Sequence, residues 1–85
     1  MRNIKFSYQG YTEFIDWAFE DFKTFQRINI LIEDIKRTPF KGLGKPEPLK
    51  GNFKGRWSRR ITLEHRLIYE IDNENITIIS CKGHY

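Results

Sequence analysis

Residues 56–80 read RWSRRITLEHRLIYEIDNENITIIS, and this stretch decides the fold. Apolar and polar side chains alternate along much of it, which is typical of strands with one buried face. We predict strands near residues 56–62, 65–71 and 76–82, with a turn at the polar residues 72–75.

The residues before this stretch predict one further strand and two helices. A strand near residues 2–8 should end at Gly10, and helical spacing follows at Tyr11, Phe14, Ile15 and Ala18. A second helix should begin after an N-cap at Asp21 and end at Thr38-Pro39. Both apolar stripes are interpreted as core; the second comprises Phe25, Ile28, Leu31, Ile32 and Ile35.

The glycine- and proline-rich segment 40–55 predicts a loop with at most a short edge strand near residues 48–50. The resulting β-α-α-β-β-β order predicts an α+β fold in which two N-terminal helices pack on one face of a mainly antiparallel sheet. We expect residues 1–85 to form a single domain.

Composition excludes several classes of protein. The one cysteine of the 85 residues cannot form an internal disulfide, and no apolar run approaches the roughly 20 residues of a membrane span. The first ten residues lack the apolar core of a signal peptide, so we expect a cytoplasmic protein without a membrane partner. No zinc-site spacing or glycine-rich phosphate loop occurs, so we expect no metal or other cofactor.

Basic charge is concentrated in residues 41–66. This segment contains eight basic and two acidic residues, which gives it a local charge of +6, whereas the whole chain carries +4. One interpretation is a solvated basic face, and the other is a partner rich in phosphates, such as RNA. Strand alternation places Arg60 and Arg66 on the sheet face away from the helices, where paired strands would let both guanidiniums reach a single phosphate.

Candidate acids and bases accompany these arginines. Glu47 lies between Pro46 and Pro48, which restrict its backbone, and His84 is the penultimate residue. Taken singly, each could be a solvated side chain without a role. Together with Lys50 and two facing arginines, a carboxylate and a histidine are what metal-free RNA cleavage requires: a base, an acid and cations for the phosphorane.

Four other side chains are less informative. Cys81 is interpreted as a small buried side chain rather than a nucleophile, and His65 as a structural, half-buried histidine. Trp57 and Tyr85 could each be a base-stacking platform or an interface residue.

Four segments carry a family resemblance: TPFKGLGKPEPLK (38–50), WSRRI (57–61), EHRLIY (64–69) and HY (84–85). Their sequence and spacing resemble the Txe/YoeB toxins of the RelE-like superfamily. The resemblance implies a type II toxin that enters the A site of the 30S ribosomal subunit, contacts rRNA and cleaves mRNA, without a metal or cofactor. By motif position, Glu47 would be the general base and His84 the general acid. Arg66 would stabilise the transition state, Lys50 and Arg60 would bind neighbouring phosphates, and Tyr85 would position the nucleotide.

The resemblance also implies partners. Such toxins are commonly dimeric and are neutralised by an antitoxin whose C-terminal segment wraps them, and operator DNA is bound only through that complex. Two alternatives stay open: a basic module that docks on rRNA without cutting, and a RelE-like toxin that poisons gyrase. A pure binder has no need for both Glu47 and His84, which favours the nuclease.

Overall fold

The computed structural model describes residues 1–83. In it the alternating stretch forms three strands, β3 (Arg56–Arg60), β4 (Arg66–Ile71) and β5 (Asn75–Ser80). They form two antiparallel pairs, β3 with β4 and β4 with β5. In the predicted turn, the Asp72 carboxylate accepts hydrogen bonds from the backbone N–H groups of Glu74 and Asn75, at 2.8 and 2.7 Å. This Asx turn reverses the chain between β4 and β5.

Two further strands complete the sheet. The first, β1 (Asn3–Phe6), pairs in parallel with β5, and the two-residue β2 (Glu47–Pro48) pairs antiparallel with β3. The order is therefore β1-β5-β4-β3-β2, with β2 at an edge. The predicted edge strand exists, one to two residues earlier than expected, and a short 3₁₀ helix (Gly51–Phe53) follows it.

Local capping signals define the two helices, α1 (Tyr8–Glu20) and α2 (Phe22–Arg37). The Asp21 carboxylate accepts hydrogen bonds from the N–H groups of Lys23 and Thr24, so the predicted N-cap is confirmed. The second helix ends before Thr38-Pro39, as predicted. Its expected stripe is also confirmed, since Phe25 is half-buried and four residues are buried, namely Ile28, Leu31, Ile32 and Ile35.

The prediction for the first helix was wrong in two respects. The helix begins at Tyr8 because the Ser7 hydroxyl caps the Gly10 N–H at 2.9 Å, so Gly10 lies inside the first turn. A side chain at Gly10 would collide with the Ile78 carbonyl oxygen of β5. Tyr11 and Ile15, predicted as core, are exposed; the buried side chain of this helix is Trp17.

The core lies between the two helices and one face of the sheet. It includes buried residues from both helices, from β4 and β5, and from the chain just after β3 and just after β5. Half-buried apolar side chains of β1, β3 and the first helix pack against them. The predicted α+β arrangement is thereby confirmed. Neither helix among residues 1–83 is long and apolar enough to cross a membrane. The opposite face of the sheet, called the open face below, carries the candidate site.

Candidate functional site

The strand register brings Arg60 and Arg66 together. They are directly opposed partners on β3 and β4, so both side chains project from the open face. This confirms the predicted pairing. Arg60 is exposed and Arg66 is half-buried. Two like charges in directly opposed positions repel each other, so the pair creates a position that favours an anion.

The edge strand β2 places Glu47 on the same open face. Glu47 is the register partner of Ser58, two residues before Arg60 along β3. Such diagonal neighbours lie about 7–8 Å apart, within the span of long side chains. Ser58 and its own partner Ile68 are buried, at 4% and 5% exposure. The carboxylate of Glu47 and the two guanidiniums therefore project from a part of the sheet whose own side chains are shielded from solvent.

A shallow cavity of about 340 Å³ borders Glu47. This volume lies within the range of small-molecule sites. Lys50 contributes to its wall and is exposed, so the cavity offers a cation beside the carboxylate. Among the described residues, its lining consists of Glu47, Pro48, Leu49, Lys50 and Phe53.

Backbone carbonyls of the β3–β4 loop orient Arg66. Its Nη1 donates hydrogen bonds to the carbonyls of Thr62, Leu63 and His65, at 2.8, 3.1 and 3.2 Å. These contacts restrict the long side chain before any ligand arrives. Further along the same face, Arg56 forms a 2.9 Å ion pair with Glu70, which neutralises that end. The positive charge is therefore centred on Arg60 and Arg66.

No role was predicted for Arg59, which strand alternation places on the face of β3 opposite to Arg60. Arg59 is fully buried, and its guanidinium donates 2.6 and 3.1 Å hydrogen bonds to Asp34 of α2 and to the Tyr69 hydroxyl. It also donates to three carbonyls of the loop before Glu47, those of Thr38, Lys41 and Leu43. An arginine at a core-facing strand position was the available signal, because buried arginines need partners.

This network fixes the loop that leads to Glu47. The N–H of Leu43 donates to the Asp34 carboxylate at 2.9 Å, and the N–H of Arg60 donates to the Gly44 carbonyl at 2.6 Å. The Leu43 N–H, assisted by the guanidinium of Arg59, holds the pKa of Asp34 below its ordinary value of 3.8. The loop is thus tied to both α2 and β3 before it enters β2.

Three other residues that the sequence analysis considered do not lie on the open face. Trp57 is half-buried and packs on Phe40 with ring centroids 5.0 Å apart. Cys81 is fully buried, as predicted; burial, with the nearby Glu13, raises the pKa of its thiol to about 12. A thiol with this pKa is a poor nucleophile. His65 is half-buried, as predicted, and packs on Trp17.

The structure leaves part of the predicted site undescribed. His84 and Tyr85 lie outside the described residues, so their expected roles stay predictions. The described chain ends at Gly83, whose carbonyl accepts a 3.0 Å hydrogen bond from the N–H of Arg66. The described chain therefore ends at the start of β4, next to Arg66. Within residues 1–83, no three His, Cys, Asp or Glu side chains are grouped to hold a metal ion.

Comparisons with known proteins show the family to which the chain belongs. Residues 6–85 match the family model described as the YoeB-like toxin of bacterial type II toxin-antitoxin systems. The chain belongs to the YoeB-like toxin family. A curated relative named Toxin YoeB, from Streptomyces coelicolor, is 49% identical over 82 residues, covering 96% of this chain and 98% of the relative.

Solved structures of YoeB toxins show the same fold over nearly their whole length. A YoeB dimer from Staphylococcus aureus matches with a TM-score of 0.93 and 45% identity, covering 99% of this chain and 98% of that one. A YoeB-YefM complex from the same organism matches with a TM-score of 0.91 and 43% identity, covering 100% and 99%. The predicted RelE-like fold and the resemblance to YoeB toxins are confirmed.

Proposed function

We propose that this toxin is a ribosome-dependent endoribonuclease that cleaves mRNA in the A site of the 30S subunit and so inhibits translation. One observation carries the proposal: Glu47 and the Arg60–Arg66 pair project from the same open face, two register positions apart. A carboxylate beside two guanidiniums can take a proton while the cations bind the neighbouring phosphate. Membership of the YoeB-like family supports the toxin role.

The proposed reaction is an attack by a ribose 2′-OH on the adjacent phosphorus. Glu47 takes the 2′-OH proton as the bond from O2′ to phosphorus forms. The bond from phosphorus to O5′ breaks, and His84 donates a proton to the departing oxygen. The products are a 2′,3′-cyclic phosphate and a 5′-hydroxyl, and no metal or other cofactor takes part. DNA lacks the 2′-OH and would not be cut.

The cations act on the charge that develops at phosphorus. Arg66 would stabilise the phosphorane, because its side chain is held by the β3–β4 loop and need not be ordered at the moment of reaction. Arg60 and Lys50 would bind neighbouring phosphates, and Tyr85 would position the nucleotide. The guanidinium groups of Arg60 and Arg66 suit phosphate binding because a planar guanidinium can bind two phosphate oxygens at once.

The proposed macromolecular partners follow from the reaction and the relatives. The substrate is mRNA held by the ribosome, so rRNA is a contact surface and the cytoplasm is the place of action. A YoeB-YefM complex among the solved relatives supports a cognate antitoxin, and a YoeB dimer supports a homodimer. We propose that operator DNA is bound only through the toxin–antitoxin complex and that no membrane partner exists.

Primer extension on mRNA bound to ribosomes tests the proposal. Wild type should produce discrete cuts, and Glu47→Gln and His84→Gln should each lower the cleavage rate by about 10²–10⁴-fold. Glu74→Gln is the control, because Glu74 is an exposed acid in the turn between β4 and β5, outside the basic segment. Undiminished cutting by Glu47→Gln would refute the assignment. Arrested translation without cuts by wild type would instead favour the rRNA-binding module.

A further inference from the structure

The three residues after β5 are held at every position by α1 and the start of β4. The Cys81 N–H donates to the Glu13 carboxylate and its carbonyl accepts from the Trp17 indole N–H, both at 2.8 Å. The Lys82 ammonium lies 2.9 Å from a Glu20 carboxylate oxygen and 5.1 Å from the Trp17 ring centroid. This segment leads directly to His84.

Gly83 is held by two consecutive residues. Its N–H donates a 2.8 Å hydrogen bond to Nδ1 of His65, and its carbonyl accepts a 3.0 Å hydrogen bond from the N–H of Arg66. Gly83 has a φ of +80°, a conformation that side chains disfavour. Both backbone polar groups of Gly83 are thus fixed relative to the start of β4.

The His65 imidazole must be in one particular tautomer to accept the hydrogen bond from the Gly83 N–H. Nδ1 accepts a hydrogen bond only in the neutral imidazole that carries its proton on Nε2. The Trp17 ring, with its centroid 4.8 Å from that of the imidazole and its plane inclined by 75°, packs in a T-shaped contact that restricts rotation of the imidazole. The Trp17 indole in turn holds Cys81, so ring and backbone contacts form one connected cluster.

We propose that His65 is a positioning residue for the general acid. Through Nδ1 it fixes Gly83, and so sets the direction in which the chain continues to His84. Arg66, the next residue, fixes the Gly83 carbonyl with its N–H and offers its side chain to the phosphate. One dipeptide therefore couples the placement of the acid to that of the phosphate-binding cation. This inference rests on the proposed nuclease function, because it assigns His65 no chemical step of its own.

Two variants of His65 separate positioning from packing. His65→Phe keeps a ring against Trp17 but removes the acceptor, whereas His65→Asn restores an acceptor near the Nδ1 position and removes the ring. We expect His65→Phe to lower the single-turnover cleavage rate about 10- to 100-fold, with unchanged affinity for ribosomes. His65→Asn should recover most of this loss despite being the less stable protein.

The same variants have a structural readout. In NMR spectra the Gly83 amide should be protected from hydrogen exchange in wild type and His65→Asn, and lose protection in His65→Phe. If His65→Phe cleaves like wild type, or if both rates simply follow protein stability, the positioning role is wrong while the nuclease stands. If wild type cuts no mRNA at all, the nuclease proposal and this inference both fail.

Discussion

The guanidinium of Arg59 donates a 2.6 Å hydrogen bond to the carboxylate of Asp34, joining β3 to α2 next to the loop that leads to Glu47. Arg59 is fully buried and Asp34 is 14% exposed, so this pair is shielded from solvent. The same guanidinium holds three loop carbonyls. A neighbouring arginine with the opposite environment, Arg60, is exposed on the other face of the same strand.

Removal of the buried arginine should therefore be strongly destabilising. We expect Arg59→Met to lower the free energy of unfolding by about 3–5 kcal/mol, because it leaves a shielded carboxylate and loop carbonyls without their donor. Arg60→Met is the matched control and should change stability by less than about 0.5 kcal/mol. Urea unfolding at neutral pH measures both. Equal stability of the two variants would show that the network does not hold the loop.

Acid should weaken the same contact. The pKa of Asp34 is lowered in the folded protein, so its ionised form adds stability that is complete above the ordinary value of 3.8. That contribution is lost as the pH falls through the lower, folded pKa. Asp34→Asn should be less stable than wild type near neutral pH, and this difference should shrink at about pH 3 and below. A difference that stays constant with pH would contradict the assignment.

Close backbone approach should make Gly44 intolerant of a side chain. A Cβ there would lie 2.9 Å from the Arg60 carbonyl oxygen, whereas one at Gly55 would meet nothing within 4 Å. Both residues have positive φ, 78° and 95°, so conformational strain of about 1–2 kcal/mol is common to both. Gly44→Ala should therefore cost clearly more stability than Gly55→Ala. The thermal midpoints of the two variants test this, and similar midpoints would place the loop farther from β3.

Much of this arrangement could be predicted from the sequence, because period-two alternation fixes which strand residues share a face. Arg60 and Arg66 were placed correctly for that reason, and the Asp21 cap follows from a local signal. The four segments quoted from the second half of the chain, with their spacing, indicated the family. These are properties of neighbouring residues, or of a whole recognisable segment.

Long-range contacts escaped prediction. Periodicity assigned Tyr11 to the core because it cannot tell which apolar face of α1 meets the sheet; Ser7 capping and the close approach of Gly10 to β5 decide this, and they bury Trp17 instead. The Arg59–Asp34 pair joins residues 25 positions apart. The contact of His65 with Gly83 depends on the neighbouring chain path, which no local pattern contains.

The basic open face should make RNA binding sensitive to salt. Each phosphate contact contributes about 0.7 to the slope of log affinity against log salt for single strands. Arg60→Gln should reduce the slope by about that amount, whereas Lys23→Gln, an exposed cation on α2 outside the basic segment, should leave it unchanged. Fluorescence anisotropy with a single-stranded RNA gives both slopes. An unaltered slope for Arg60→Gln would argue against a phosphate contact.

The proposed chemistry depends on one hydroxyl group. Once a cut has been mapped on a ribosome-bound mRNA, the same message can be prepared with a single 2′-deoxyribose on the 5′ side of the scissile phosphate. Primer extension should then show no cut at that bond, while the all-ribose message is cut by the same protein sample. Equal cleavage of the two messages would contradict attack by the 2′-OH, and with it the role proposed for Glu47.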